Sequence, residues 1–334
     1  MYSDIPFLLS LVFIIGGFAA LTWSSDFFVS GASCLAKMLG ISPFVIGMVI
    51  IGFGTSAPEL CVSAVSGSSG HSNLSLGNAY GSCIFNILGI LGVSALIHPL
   101  KVKPSIAFVA APVLAVISIF SFYLLADGNY SRTDAMVQLA VFAVLLPAYC
   151  WFDQKGKKSK PLESPCGACE SKSSIVFALI KVVVGLMVLI GSSHFLVWGA
   201  VDAARMLGVS ELMIGLTVLA VGTSLPELAS AIASARRGKH EFVLGNIIGS
   251  NFFNTLAVVG IAGGISPISE FSSYVTSRDL PVMIGSSLII SFFGINWRNI
   301  RRAGRISRLM GMVWILVLMA YTSLMIWQEV HPNG

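Results

Sequence analysis

The chain has 334 residues, of which 55% are hydrophobic and only 10% are charged, and its mean hydropathy is +0.87. A soluble globular domain carries about 25% charged residues, so this composition excludes an ordinary soluble enzyme or binding module. We interpret the formal net charge of +5 as a signal of membrane orientation, with no nucleic-acid partner.

Apolar runs of about 20 residues, long enough to cross a bilayer as helices, follow one another along the chain. We predict ten spans, at 7–29, 42–65, 76–97, 106–126, 134–151, 174–200, 211–235, 242–265, 279–294 and 308–327. This pattern predicts an all-α polytopic membrane protein. Its natural environment is the lipid bilayer.

Basic residues concentrate in alternate loops between these spans. One set of loops holds Lys37, Lys101, Lys103, Lys155, Lys157, Lys158, Lys160, Lys172, Arg236, Arg237, Lys239, Arg298, Arg301, Arg302, Arg305 and Arg308. The opposite loops hold only Arg132, Arg205 and Arg278. Because basic loops remain in the cytoplasm, both termini are predicted to lie outside it.

A six-residue phrase occurs twice, 168 positions apart, each time inside an apolar span. The copies are Gly54-Thr55-Ser56-Ala57-Pro58-Glu59 and Gly222-Thr223-Ser224-Leu225-Pro226-Glu227. An ionised side chain in hydrocarbon costs about 3 kcal/mol on insertion scales, so each glutamate should face a cavity, a partner or an ion. The duplicated carboxylate therefore suggests a cation site made from both copies.

The repeat extends beyond this phrase. About half of the residues in 36–60 are identical to those in 204–228, and the same offset relates Leu76-Gly77-Asn78 to Leu244-Gly245-Asn246, Gly81-Ser82 to Gly249-Ser250, and Phe85-Asn86 to Phe253-Asn254. Each half holds five predicted spans, and an odd number inverts the second half in the membrane. Such inverted repeats place a substrate site near the midplane between the halves.

The predicted organisation is a first five-helix repeat at 1–151, a cytoplasmic linker at 152–173 and a second five-helix repeat at 174–334. The duplicated motifs occupy 42–90 and 210–258. The linker contains Cys166 and Cys169, but a single C-x-x-C pair without a second pair does not indicate a zinc site. We interpret this segment as an inert connection.

The chemistry of the repeated residues favours a hard cation. Pro58 and Pro226 should each kink a helix and free backbone carbonyls. Thr55 and Glu59 are four residues apart, as are Ser82 and Asn86 and their counterparts Ser250 and Asn254, so each pair shares a helix face. All of these side chains offer oxygen, which calcium prefers, whereas zinc and copper prefer nitrogen or sulfur.

At these residues the sequence resembles the calcium/cation antiporter superfamily, in particular its prokaryotic sodium/calcium exchangers, whose two alpha repeats carry such phrases. The resemblance implies ten helices in two inverted five-helix repeats and exchange of sodium against calcium. It implies that Glu59 and Glu227 are central ligands shared by both ions. The implied hydroxyl or carbonyl ligands are Thr55, Ser56, Ser82, Thr223, Ser224 and Ser250, together with the backbone carbonyls of Gly52 and Ala220.

Two departures from the family pattern concern the site itself. Asn86 and Asn254 are amides where some relatives carry Asp, which leaves two obvious acids and makes a potassium-dependent mode less expected. Cys83 replaces the Asn of the first G-S-N, opposite Asn251. Cys83, like Ala57 in place of the commoner Leu, removes no matched oxygen ligand.

We therefore expect a secondary active antiporter that exchanges Ca²⁺ for Na⁺ by alternating access in the inner (cytoplasmic) membrane of a prokaryote. It is expected to act as a monomer without catalytic residues or a cofactor. A proton-coupled calcium exchanger is the nearest alternative, because carboxylates carry protons as well as sodium. A passive cation channel is the second, and only an antiporter would accumulate calcium against its gradient.

The charge bias makes a testable prediction about topology. Reporters fused at the termini should be read outside the cytoplasm, and a reporter in the loop 152–173 should be read inside it. Labelling of Cys166 by an impermeant thiol reagent applied to intact cells would contradict this orientation.

Overall fold

The computed structural model describes residues 7–68, 72–155, 175–208, 220–269 and 271–331, and most of them are helical. Residues 156–174, with Cys166 and Cys169, lie outside the described residues. So do residues 209–219, where the second motif begins.

The helices of the described residues are, in chain order, α1 (Phe7–Leu39), α2 (Pro43–Thr55), α3 (Ala57–Ser68), α4 (Ser72–Ile84 continued by Phe85–Leu91 and Gly92–Ile97), α5 (Ile106–Leu125), α6 (Arg132–Lys155), α7 (Ile175–Met206), α8 (Ala220–Gly222), α9 (Leu225–Arg236), α10 (His240–Ile265), α11 (Val275–Asp279 continued by Leu280–Gly294) and α12 (Arg308–Val330).

Seven helices of the described residues are long and apolar enough to cross a membrane, or eight if the bent pair α2 and α3 counts as one span. The mostly helical membrane fold is thus confirmed, while the count of ten spans and the inverted order stay predictions. Helices α1 and α7 extend beyond the predicted spans 7–29 and 174–200. The residues just beyond those spans, 31–36 and 201–203, are buried by protein and include polar ones such as Ser33 and Asp202, so hydropathy alone ended the spans too early.

Helices α1 and α7 pack along each other at glycines. A Cβ atom on Gly31 would lie 2.7 Å from Lys181 Cβ, and one on Gly185 would lie 2.9 Å from Phe28 Cα. Near one end of this pair, the Ser10 hydroxyl donates to the Asp202 carboxylate at 2.6 Å. Because both groups are buried, the bond fixes the two helices relative to each other.

Helix α10 lies at the centre of the protein and is entirely buried over its apolar window. Its glycines bring its backbone against α2, since added Cβ atoms on Gly245 and Gly249 would overlap main-chain atoms of Phe44 and Met48. From the other side, a Cβ on Gly52 would lie 2.9 Å from the Ser250 nitrogen. This contact brings helices of the two predicted halves to backbone distance.

π-helical turns recur at matching places in both halves. Segment Phe85–Leu91 in α4 corresponds to Phe253–Val258 in α10, and Asn86 and Asn254 are the second residues of these turns. A π turn shifts the side chains that follow it and is frequent at functional sites.

Two short antiparallel sheets also join the halves. Strand β1 (Leu100–Val102) pairs with β4 (Gly304–Ile306), and β2 (Asn129–Tyr130) pairs with β3 (Ile268–Ser269). By the predicted topology, the first sheet belongs to the cytoplasmic loops and the second to the outer loops.

The backbone contact between α2 and α10 predicts the effect of a single methyl group. In Gly249→Ala the new Cβ would lie 2.6 Å from Met48 Cα, so we expect a loss of about 1–3 kcal/mol of stability. A lower unfolding temperature of the detergent-purified protein would show it. Gly285→Ala is the matched control, because no described atom lies within 4 Å of its added Cβ. Equal unfolding temperatures would contradict the prediction.

Candidate ion-binding site

Each copy of the phrase interrupts its helix. Ser56, with φ −83° and ψ 6°, separates α2 from α3, and the two helices meet at a 41° bend. Ser224, with φ −93° and ψ 10°, caps α9 in the same way. The predicted kink at the first copy is confirmed and the helix is interrupted at the second, but each break falls two residues before the proline. The reason is that proline is tolerated in the first turn of a helix, so Pro58 and Pro226 begin new helices.

Glu59 and Glu227 lie in the first turns of these new helices and are completely buried. The Ser224 hydroxyl donates to Glu59 Oε1 at 3.2 Å, and the Ser56 hydroxyl donates to Glu227 Oε1 at 3.0 Å. Each carboxylate is therefore held by the serine of the other phrase. The two copies, 168 residues apart in sequence, meet in one place.

Helices α4 and α10 contribute further oxygens to this place. The hydroxyls of Ser224 and Ser82 are 3.3 Å apart. The Ser250 hydroxyl donates to the Gly52 carbonyl at 3.2 Å, and that carbonyl also accepts the Ser56 N–H at 3.1 Å. The structure thus brings together predicted ligands from α2, α3, α4, α9 and α10.

Thr55 links α2 to α10. Its hydroxyl donates to the Ile51 carbonyl at 2.9 Å and lies 3.3 Å from Asn246 Oδ1. This side chain is fully buried at the end of α2, immediately before the helix break.

Four other predicted ligands have no described hydrogen bond to the glutamates or to the hydroxyls and the carbonyl around them. The Asn86 amide donates to Asn251 Oδ1 at 3.0 Å, and Asn254 is buried without a described hydrogen-bond partner. Thr223 is half-buried, and only the backbone of Ala220 is described, in the short helix α8. The roles of these four residues stay predictions.

The carboxylates of Glu59 and Glu227 each have one buried oxygen without a hydrogen bond. Glu59 Oε2 and Glu227 Oε2 have no hydrogen-bond partner among the described residues, and neither glutamate has a basic partner there. Buried polar atoms are normally bonded, and an unpaired charge in a protein interior is costly. A group from outside the chain, either a cation or a proton, is therefore required to neutralise the two acids.

The donor set suits a hard cation. Carboxylate, hydroxyl, amide and carbonyl oxygens are the ligands that calcium takes, and sodium accepts the same donors. The described part of the chain contains no group of three or more His, Cys, Asp or Glu residues that could hold a metal ion. A cation at this place would be bound by two carboxylates and neutral oxygens.

Two residues that support the site were given no role in the sequence interpretation. The Asn78 amide donates to the Glu59 carbonyl at 3.2 Å, and the Asn246 amide donates to the Glu227 carbonyl at 3.2 Å. They attach each glutamate-bearing helix to the helix that follows it. Their signal was present, because both belong to the repeated Leu-Gly-Asn triplet.

The comparisons with known proteins cover nearly the whole chain and point to one family. Residues 9–151 and 177–327 match the family described as "Sodium/calcium exchanger protein". The chain is 35% identical over 319 residues to the putative antiporter CaxA of Alkalimonas amylolytica, covering 95% of this chain and 99% of that protein. It is 34% identical over 304 residues to the inner membrane protein YrbG of Escherichia coli (strain K12), covering 89% and 92% of the two proteins.

A solved structure is similar over the same length. The sodium-calcium exchanger NCX_Mj, soaked with Na⁺ and Sr²⁺, superimposes with a TM-score of 0.80 at 30% identity and covers 95% of this chain and 99% of its own. The resemblance seen in the alpha repeats is thereby confirmed. The chain belongs to the sodium/calcium exchanger family.

Proposed function

We propose that this protein is a secondary active antiporter that exchanges Ca²⁺ for Na⁺ through the site of Glu59 and Glu227. The observation that carries the proposal is the pair of buried carboxylates, each with one unbonded oxygen and a serine partner from the opposite half. Two carboxylates balance the charge of one divalent cation. The same oxygens can bind sodium ions instead, and competition between the two ions produces exchange.

The position of the site supports alternating access. The reciprocal bonds between serines and glutamates lie where the two halves meet, and the two sheets join the same halves at their ends. In transporters built from inverted repeats, a rocking of one part against the other opens a midplane site to each side in turn. We propose ten spans in two inverted five-helix repeats, 1–151 and 174–334, joined by the linker 152–173.

The proposed ligand set follows the contacts. Glu59 and Glu227 supply the charge, and the neutral oxygens come from Thr55, Ser56, Ser82, Asn86, Thr223, Ser224, Ser250, Asn254 and the Gly52 and Ala220 carbonyls. In the present state the Gly52 carbonyl accepts hydrogen bonds from Ser56 and Ser250. It would have to exchange one of these bonds to take a cation.

The cellular setting is part of the proposal. The relative YrbG is named an inner membrane protein, and the described helices of this chain include seven that could cross a membrane. We propose a monomer in the inner membrane with both termini outside the cytoplasm. It needs the two ions and the bilayer but no cofactor or nucleic acid.

Labelled calcium uptake into vesicles separates this function from its alternatives. With purified protein in liposomes, an outward sodium gradient should drive calcium accumulation, and a proton or potassium gradient of equal size should not. Accumulation driven only by protons would indicate an H⁺/Ca²⁺ exchanger. Calcium entry that never exceeds equilibrium would indicate a channel.

Removal of either charge should abolish transport. Glu59→Gln and Glu227→Gln keep the side-chain shape but leave one acid for a divalent cation, so sodium-driven calcium uptake should fall to background. Glu241→Gln is the control and should retain uptake. Glu241 is not part of the proposed site, and its carboxylate forms an ion pair with Lys103 at 2.7 Å. Near-normal uptake by either well-inserted site variant would show that the site assignment is wrong.

Addition of a third acid should change ion preference. In Asn254→Asp a carboxylate replaces a buried amide, and a buried carboxylate must bind a cation or take up a proton. Calcium uptake should become more sensitive to acid pH or to potassium than uptake by the parent. Asn129→Asp, at an exposed position of β2, is the control. Identical sodium, potassium and pH profiles for Asn254→Asp and the parent would show that Asn254 does not face the ions.

A further inference from the structure

Cys83 and Asn251 occupy the same position of the two repeats and contact each other where α4 and α10 cross. The Asn251 amide donates to the Cys83 carbonyl at 3.1 Å, and the Cys83 sulfur lies 3.9 Å from the Asn251 carbonyl. Both side chains are buried. Each side chain thus lies against the backbone carbonyl of the other residue. Only Asn251 carries an amide, however, so the two contacts are chemically different.

Because of this difference, the side chains of Asn86 and Asn254 have different hydrogen-bond partners. Asn251 Oδ1 accepts the Asn86 amide at 3.0 Å, which fixes Asn86 and leaves its Oδ1 unbonded. The equivalent partner for Asn254 would be the side chain at position 83. That residue is a cysteine, and both polar atoms of Asn254 lack a hydrogen-bond partner among the described residues although the side chain is fully buried.

Cysteine cannot replace the missing amide. A thiol is a weak donor and a weak acceptor, and the Cys83 sulfur instead lies 3.6 Å from the Thr255 hydroxyl. The main chain beside Asn254 is held, because the Gln138 amide donates to the Thr255 carbonyl. What remains free is the carboxamide of Asn254, whose terminal torsion has a broad, two-fold energy profile.

We propose that Cys83 sets the calcium affinity of the site, because it offers no amide to hold the Asn254 side chain, so that Asn86 is a preset oxygen ligand and Asn254 an adjustable one. This inference rests on the proposed cation site. An amide whose NH₂ group is already bonded must present its oxygen to the site. Asn254 instead has to be ordered each time a cation binds, and that ordering opposes binding.

Replacement of Cys83 by asparagine, the residue at the equivalent position 251, tests the proposal. In Cys83→Asn the new NH₂ group can reach the Asn251 carbonyl, and its oxygen can accept the Asn254 amide, as Asn251 does for Asn86. Labelled-calcium binding to purified protein should then tighten by about two- to tenfold, the cost of ordering one side chain. Cys83→Ser is the matched variant without an amide, and it should not tighten binding. Equal affinities of Cys83→Asn and Cys83→Ser would overturn the proposal.

The reverse substitution provides a second test, which decides the matter if Cys83→Asn does not fold. Asn251→Cys releases Asn86 and should weaken calcium binding by about two- to tenfold. In the double variant Cys83→Asn/Asn251→Cys the hydrogen bond that holds an amide ligand is present again, now on Asn254. The calcium affinity should therefore return toward the parent value. Unchanged affinity in Asn251→Cys would contradict the proposal.

Glu227→Gln, measured in the same assay, keeps the two proposals apart. If it retains calcium binding, the cation site itself is wrong. If it loses calcium binding while Cys83→Asn binds like the parent, the cation site stands and only the role of Cys83 is wrong.

Discussion

Two carboxylates buried side by side within an apolar protein impose the constraint on which the rest of this structure depends. Glu59 and Glu227 have no basic partner among the described residues, and each keeps one oxygen unbonded. An unpaired charge in such a place would normally destabilise the fold or be removed by protonation. In the proposed function, a cation that enters and leaves resolves this conflict, and the protein then needs no other source of charge at the site.

The surrounding structure serves to hold these carboxylates without neutralising them. Prolines start new helices at the phrase, which places each glutamate in a first turn, where the helix dipole favours an anion. Serines of the opposite half and the asparagines Asn78 and Asn246 then supply neutral hydrogen bonds. Glycines on α2 and α10 allow the halves to approach at backbone distance, so that one site is shared by both.

Much of this arrangement could be predicted from the sequence, because the duplicated motifs identify the residues that form the site. The spans found in the described residues, the helix breaks at Ser56 and Ser224, and the meeting of Glu59 with Glu227 follow from hydropathy, proline chemistry and the 168-residue repeat. Hydropathy could not locate the ends of α1 and α7, since the residues just beyond the predicted spans, 31–36 and 201–203, are buried by protein and include polar side chains. The roles of Asn78 and Asn246 depend on which carbonyl lies within reach, and the freedom of Asn254 depends on a contact between α4 and α10. The spacing of residues along the chain predicts neither of these tertiary contacts.

In the proposed function the two halves build one shared site and not one site each. Equilibrium binding of labelled calcium to the purified protein, with sodium as competitor, measures this directly. A shared site predicts one calcium ion per chain, displaced by sodium, with binding lost in Glu59→Gln and equally in Glu227→Gln. Two calcium ions per chain, with each single variant retaining one of them, would contradict it.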